Sequence, residues 1–371
     1  MKYVNPSNIK RVMRLNRRLF LKLSSLLMSR ALLPPLPVLN RYTDGQDVAP
    51  PVKRPIIGFA RAISYGVAVR SEPNLNAKLL DVLMPDAVLP IYAELETDSG
   101  SWHNKFWYEV EGGYVHSALI HQVDWRLNTP VADAGTDGFW AEVTVPYTDA
   151  RIVPSNDGPR TKYRYYGGTV YKVMKVVKTR DMNSSDMWYQ VEDESFPAIY
   201  YVNGKHLRVI PREEFLPLSP QVDPADKKII VNLAEQRVHA FEKDQEVFTS
   251  RTATGAIFPD LGDKGDFSTP RGTYYVFRKT PSQHMYGGRA GDSDYFDLPG
   301  IPWVSYFIGN GIAFHGTYWH NDYGVPRSHG CVNLPSAKAY WIWRWTMPES
   351  DPVERYTMNY TPTGGTRVLV V

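Results

Sequence analysis

The chain has 371 residues, of which 43% are hydrophobic and 22% charged, and its formal charge is +3. At roughly 150 residues per domain that length predicts two or three domains, and the apolar fraction excludes a disordered polymer. Residues 1–30 hold eight Lys or Arg and no acid, which leaves 34 basic against 39 acidic side chains on the rest. A net-acidic body excludes nucleic acid as a partner. Twenty-nine Pro and 27 Gly beside 13% aromatics point to many short strands joined by tight turns. The single cysteine, Cys331, excludes an intramolecular disulfide and a multi-cysteine zinc site.

In chain order, Arg17-Arg18-Leu19-Phe20-Leu21-Lys22 follows the basic stretch and precedes a short apolar run. This resembles a twin-arginine export signal. The uncharged run from Leu23 to Ser29 is far short of the roughly 20 residues that span a bilayer. Residues 1–39 are thus expected to be an export signal carrying the chain to the cell envelope, with membrane contact only while it stays attached. Residues 40–56 read as a linker.

Between residues 57 and 123 short alternating runs recur. Trp107-Tyr108-Glu109-Val110-Glu111, a Gly112-Gly113 turn and Tyr114-Val115-His116 read as a hairpin. Between 139 and 210 the pattern returns, with Trp188-Tyr189-Gln190-Val191-Glu192 matching the first hairpin strand, so Trp107 and Trp188 look equivalent in a degenerate repeat. Both segments resemble bacterial SH3-like modules, small β-barrels in which such aromatics fill the core. A Pro-rich linker over 211–225 precedes a third, mostly β domain at 226–371. Its one helix is expected to begin near Pro335-Ser336-Ala337.

The chemistry concentrates between His315 and Asn333. An ordinary thiol is only a few per cent ionised at neutral pH, so a nucleophilic Cys331 needs an imidazole to keep it ionised. His329 and His315 are both on offer, and spacing does not choose between them. Gly330 lets a substrate carbonyl come close to the backbone. The opposing readings are a buried structural cysteine and a zinc site from His315, His320, His329 and Cys331, whose spacings match no standard ligand set.

Phe314-His315-Gly316-Thr317 followed by Arg327-Ser328-His329-Gly330-Cys331-Val332-Asn333-Leu334 resembles the signature of L,D-transpeptidases, cysteine enzymes that cross-link bacterial peptidoglycan. Thr254-Gly255 and Thr269-Pro270-Arg271-Gly272 agree with that family's upstream elements, and the likeness covers about 226–346. The resemblance implies a β-sandwich-like catalytic domain with one short helix after the cysteine. It implies Cys331 as nucleophile and His315 as its proton partner, oriented by the Gly316 carbonyl. It further implies His329 in support, and the amides of His329, Gly330 and Cys331 as oxyanion donors. Ser328 and Asn333 would brace the loop, and Arg327, Thr317 and Tyr318 would contact substrate. It implies no cofactor or metal and a monomer. The partners would be peptidoglycan stem peptides, a donor tetrapeptide and an amine acceptor. The competing functions are L,D-carboxypeptidase, protein-to-wall anchoring by the same acyl-enzyme, a metal-dependent amidase, and a non-catalytic wall-binding protein.

Overall fold

The computed structural model describes residues 54–371 apart from 102, 183, 194, 196, 197, 352, 362 and 363, so the export signal expected at 1–39 lies outside the described residues. Arg54–Val371 form one compact unit, in which no described helix is long and apolar enough to cross a membrane.

Seven strands come first: β1 (Gly58–Ala62), β2 (Val67–Arg70), β3 (Leu79–Leu83), β4 (Val88–Ser101), β5 (Asn104–Val110), β6 (Gly113–His116) and β7 (Ile120–Val123). They form an antiparallel sheet ordered β3-β2-β6-β5-β4-β1-β7. The next seven are β8 (Phe139–Val143), β9 (Tyr147–Arg151), β10 (Arg160–Tyr166), β11 (Val170–Lys178), β12 (Met187–Asp193), β13 (Ala198–Asn203) and β14 (Leu207–Val209). Their order, β10-β9-β13-β12-β11-β8-β14, repeats the first strand for strand. Trp107 and Trp188 occupy matching places, each opposite the last residue of the following strand, His116 and Asn203. Both indoles are buried, as are Tyr108 and Tyr189 beside them. Alternating small apolar residues such as Val67, Val69, Val143 and Val145 close each core, the period-2 pattern of half-buried strands.

The remaining strands build two five-stranded sheets. β15 (Lys227–Asn232), β16 (Arg237–Glu242), β17 (Gln245–Arg251), β18 (Gly272–Tyr275), β19 (Arg278–Gly287), β20 (Phe296–Ile308), β21 (Ile312–Thr317), β22 (Val332–Pro335), β23 (Thr357–Met358) and β24 (Arg367–Val370) are arranged as β17-β16-β15-β24-β18 and β22-β21-β20-β19-β23. Apolar residues of both sheets meet in one core, Ile229, Val231 and Val238 with Phe307, Phe314 and Val332. The only α-helix among the described residues, α1 (Ser336–Trp345), follows Pro335 and buries Ala339, Ile342, Trp343 and Trp345 in that core. Burial of each large side chain stabilises the fold by roughly 1.5–3 kcal/mol. The mainly β fold with one short helix after the cysteine agrees with the sequence reading. Trp140 and Val170 of the second repeat, with Ile210 and Phe215 after it, belong to the same core, and Phe215 packs on Trp303 and Trp343. The Pro-rich stretch between them is therefore anchored.

Candidate active site

Strands β21 and β22 run parallel, with His315 opposite Asn333 and Phe314 opposite Val332. A parallel pair needs a crossover, here the loop from Tyr318 to Cys331. The pairing brings residues sixteen apart in sequence to one end of the sheet. Cys331 and His315 line a single cavity of about 960 Å³, with Tyr306, Trp319, His329 and Asn333 among its other walls.

His315 is buried, and its Nδ1–H donates to the Gly316 carbonyl at 3.0 Å. That bond fixes the proton on Nδ1 and leaves the Nε2 lone pair free to take one. Burial pushes the imidazole pKa down to about 4. Burial also pushes the half-buried Cys331 thiol up to about 11, against a hydrogen bond from the Ala313 amide, and the thiol points to the Gly311 carbonyl at 3.7 Å. Burial thus disfavours the charged form of each group, the thiolate and the imidazolium alike.

The loop carrying the cysteine is clamped. Gly330 has φ of +110°, a backbone region that favours glycine. Its N–H donates to Ser328 Oγ at 3.1 Å, and that hydroxyl donates to the Cys331 carbonyl at 2.5 Å. The Gly330 carbonyl accepts from Thr269 Oγ1 at 2.7 Å, and Thr269 in turn accepts from the Gly255 amide at 2.9 Å. A Cβ on Gly255 would stand 1.9 Å from the Phe267 carbonyl and 2.9 Å from Gly330 Cα, so only glycine fits there. Among the three amides expected to hold an oxyanion, Gly330 is thus already committed to Ser328.

The other expected site residues divide. The His329 ring is enclosed by Phe258, Phe267 and Phe296 at centroid distances of 4.7–4.9 Å, and burial lowers its pKa. Asn333 exchanges backbone hydrogen bonds with Ala253 and places its side-chain amide 2.9 Å from His320 Nε2. Arg327 lines the cavity, but its guanidinium is held by Asp322, which also takes His103 at 2.9 Å. Thr317 and Tyr318 do not face the cavity. Thr317 bonds Tyr323, and the Tyr318 hydroxyl donates to Pro299 at 3.0 Å. Their expected substrate contact is corrected to a bracing role, because neither lines the cavity and both hydroxyls are already bonded within the protein.

The sequence reading missed several participants. Tyr318 is stacked on Tyr166 of the second repeat, and its carbonyl accepts from buried Arg61 of the first at 2.6 Å. His103, Asp322, His320 and Asn333 form a chain from the first repeat to the strand beside His315. Asp193 and Ser195 of the second repeat bond His284 in the cavity wall. Only their long sequence separation hid them, since each is an ordinary surface residue by type. No three His, Cys, Asp or Glu side chains among the described residues are disposed to hold a metal ion.

Acid should loosen this arrangement. Burial lowers His315 to about 4 and His320 to about 3, against about 6.5 unfolded. As pH falls from 6.5 towards 4 the unfolded chain gains protons that the folded one refuses, so stability drops. His284 acts oppositely: burial disfavours its charge, but Asp193 and Asp297 outweigh that and raise its pKa. Burial also lowers His116, His121, His206 and His329, so six lowered histidines against one raised predict a melting temperature that falls between pH 6.5 and 4.5, with a shallower fall in His320→Gln. Identical slopes for the two proteins would contradict it.

Comparison with known proteins covers the later part of the chain. Residues 226–369 match the YkuD family, described as the L,D-transpeptidase catalytic domain. A "Putative L,D-transpeptidase YciB" of Bacillus subtilis (strain 168) is 25% identical over 144 residues, 36% of this chain and 68% of that protein. Among solved structures, an L,D-transpeptidase from Mycobacterium smegmatis is 14% identical over 53% of this chain and 82% of its own, with a TM-score of 0.31. The catalytic domain of the E. faecium L,D-transpeptidase is 20% identical over 39% of this chain and 97% of its own, with a TM-score of 0.29. The likeness to the L,D-transpeptidase catalytic domain thus rests on residues 226–369, about two fifths of the chain.

Proposed function

We propose that the chain is an exported L,D-transpeptidase that cross-links peptidoglycan stems through a thioester on Cys331. The observation that carries this reading is one cavity lined by both the only thiol and a neutral imidazole whose tautomer leaves Nε2 open. The Cys331 sulfur attacks the carbonyl of the L-centre of the third residue in a donor tetrapeptide, and its proton passes to His315 Nε2. The C–N bond to terminal D-Ala then breaks, the imidazolium protonates the departing amine, and a thioester remains. An amine of a second stem attacks, His315 takes its proton and returns it to the sulfur. Oxyanion donation falls to the His329 and Cys331 amides, since Gly330 N–H serves Ser328. The two repeated sheets are read as SH3-like modules that frame the cavity.

Water as acceptor would give an L,D-carboxypeptidase and a wall-protein amine an anchoring enzyme, with the same acyl-enzyme. A non-catalytic wall-binding protein would form none. Incubation of the intact protein with a carbapenem, followed by mass spectrometry and peptide mapping, is expected to place one adduct on Cys331. An unmodified protein, or an adduct elsewhere, overturns the reading.

A further inference from the structure

We propose that Arg278 binds a carboxylate of the acyl donor and thereby selects which stem peptides enter; this rests on the cavity being the donor site. Arg278, Tyr306 and Ala313 are direct neighbours across β19, β20 and β21. The Ala313 amide is the one that bonds the Cys331 sulfur. At about 4.8 Å per strand, the Arg278 backbone lies roughly 10 Å from that of Ala313 along this row. Its guanidinium bends over the Tyr306 ring at 3.9 Å, with Tyr356 at 5.3 Å on another side. Arg278, Tyr306, Tyr356 and Cys331 all line the cavity.

The other cations of this wall are already neutralised. Arg327 is paired with Asp322, and His284 sits between Asp193 and Asp297 at 2.6 Å from each. Asp297, the one carboxylate among the cavity's described lining residues, also holds Lys162. Among the described residues no carboxylate pairs with Arg278; its side chain is hydrogen-bonded to Tyr306, while its buried Nε has no hydrogen-bond partner. A buried unpartnered donor is a cost that a native fold seldom carries without cause. A guanidinium held against the Tyr306 ring and near Tyr356 loses little freedom when its fork meets a carboxylate, the group it recognises through two parallel bonds.

A donor stem can supply that group from two places, the carboxylate of the departing residue or one at the end of the third residue's side chain. The test measures D-Ala release, or alanine-amide release, by the full chain from three tetrapeptides. One carries both carboxylates, one is amidated at the third side chain, and one is amidated at the C-terminus. With the first, Arg278→Gln is expected to raise KM about ten- to hundredfold, as loss of a charged hydrogen-bonded pair would, with kcat changed far less. On one of the amidated donors the wild type should suffer the same loss and the substitution should then add nothing, which names the source. Arg278→Lys keeps the charge and stacking stem, and should recover part of the KM if its melting temperature matches the wild type. An Arg278→Gln effect of equal size on all three donors, or no effect on any, overturns the inference while the function stands. A wild type that releases nothing from any donor overturns both.

Discussion

Replacing Cys331 by Ser is expected to lower D-Ala release by about four orders of magnitude or more, while leaving donor affinity within a few-fold of the wild type. His315 is lowered to about 4 by burial and is a weak base. It can draw a proton from a thiol raised to about 11 only because sulfur attacks well while the proton is in flight. A hydroxyl is several units less acidic and a poorer nucleophile, so the same imidazole leaves it inert. The substitution exchanges one small atom on a half-buried side chain, and the clamp formed by Ser328, Thr269 and Gly255 involves backbone groups that it leaves alone. Stability should therefore be kept. Single-turnover acylation and equilibrium binding, measured on one preparation, check this; wild-type acylation by the Ser variant would remove the thiol from the mechanism.

His315→Gln is expected to cost roughly 10²–10⁴-fold in acylation, the usual contribution of a positioned general base, and to reshape the pH profile. In the wild type, acylation should be level through the neutral range. It should fall below about pH 4, where the imidazole takes a proton, and climb towards pH 11 as the thiol ionises unaided. Because the two groups share a proton, these limbs belong to the pair. The Gln variant should lose the acidic limb and rise steadily with hydroxide. His329→Gln should keep the wild-type profile shape, since that ring is enclosed by three phenylalanines. A normal profile for His315→Gln beside an inactive His329→Gln would exchange the two roles.

Short alternating runs sufficed to place the strands and the equivalence of Trp107 with Trp188, because a half-buried strand writes its period into local sequence. The cluster from His315 to Asn333 was legible for a similar reason: its residues lie within one hairpin-length of chain. What could not be read depended on contacts between distant segments. Arg327 looks like a substrate cation until Asp322 is seen beside it, and Arg278 looks unremarkable until strand register sets it in line with the Ala313 amide. Thr317 and Tyr318 follow His315 in sequence, yet their hydroxyls are taken up by Tyr323 and the Pro299 carbonyl, partners that no local pattern names. The closing Val-Leu-Val run, outside the 226–346 resemblance, lies between β15 and β18 with Val368 fully buried, a pairing no local pattern announces.

The crossover loop over the cysteine is gripped by both repeats, through Arg61 at the Tyr318 carbonyl and His103 at Asp322 from the first and Tyr166 stacked on Tyr318 from the second, and the second repeat also lends Trp140 and Val170 to the core of the last domain. The familiar picture of interchangeable beads on a string does not suit such a molecule. Severing the last 146 residues would open a hole where Trp140 packs and leave Asp322 without its bond to His103. Grafting a foreign barrel in front of the enzyme would do the same unless it reproduced those few side chains. The front half braces the loop that leads to the cysteine.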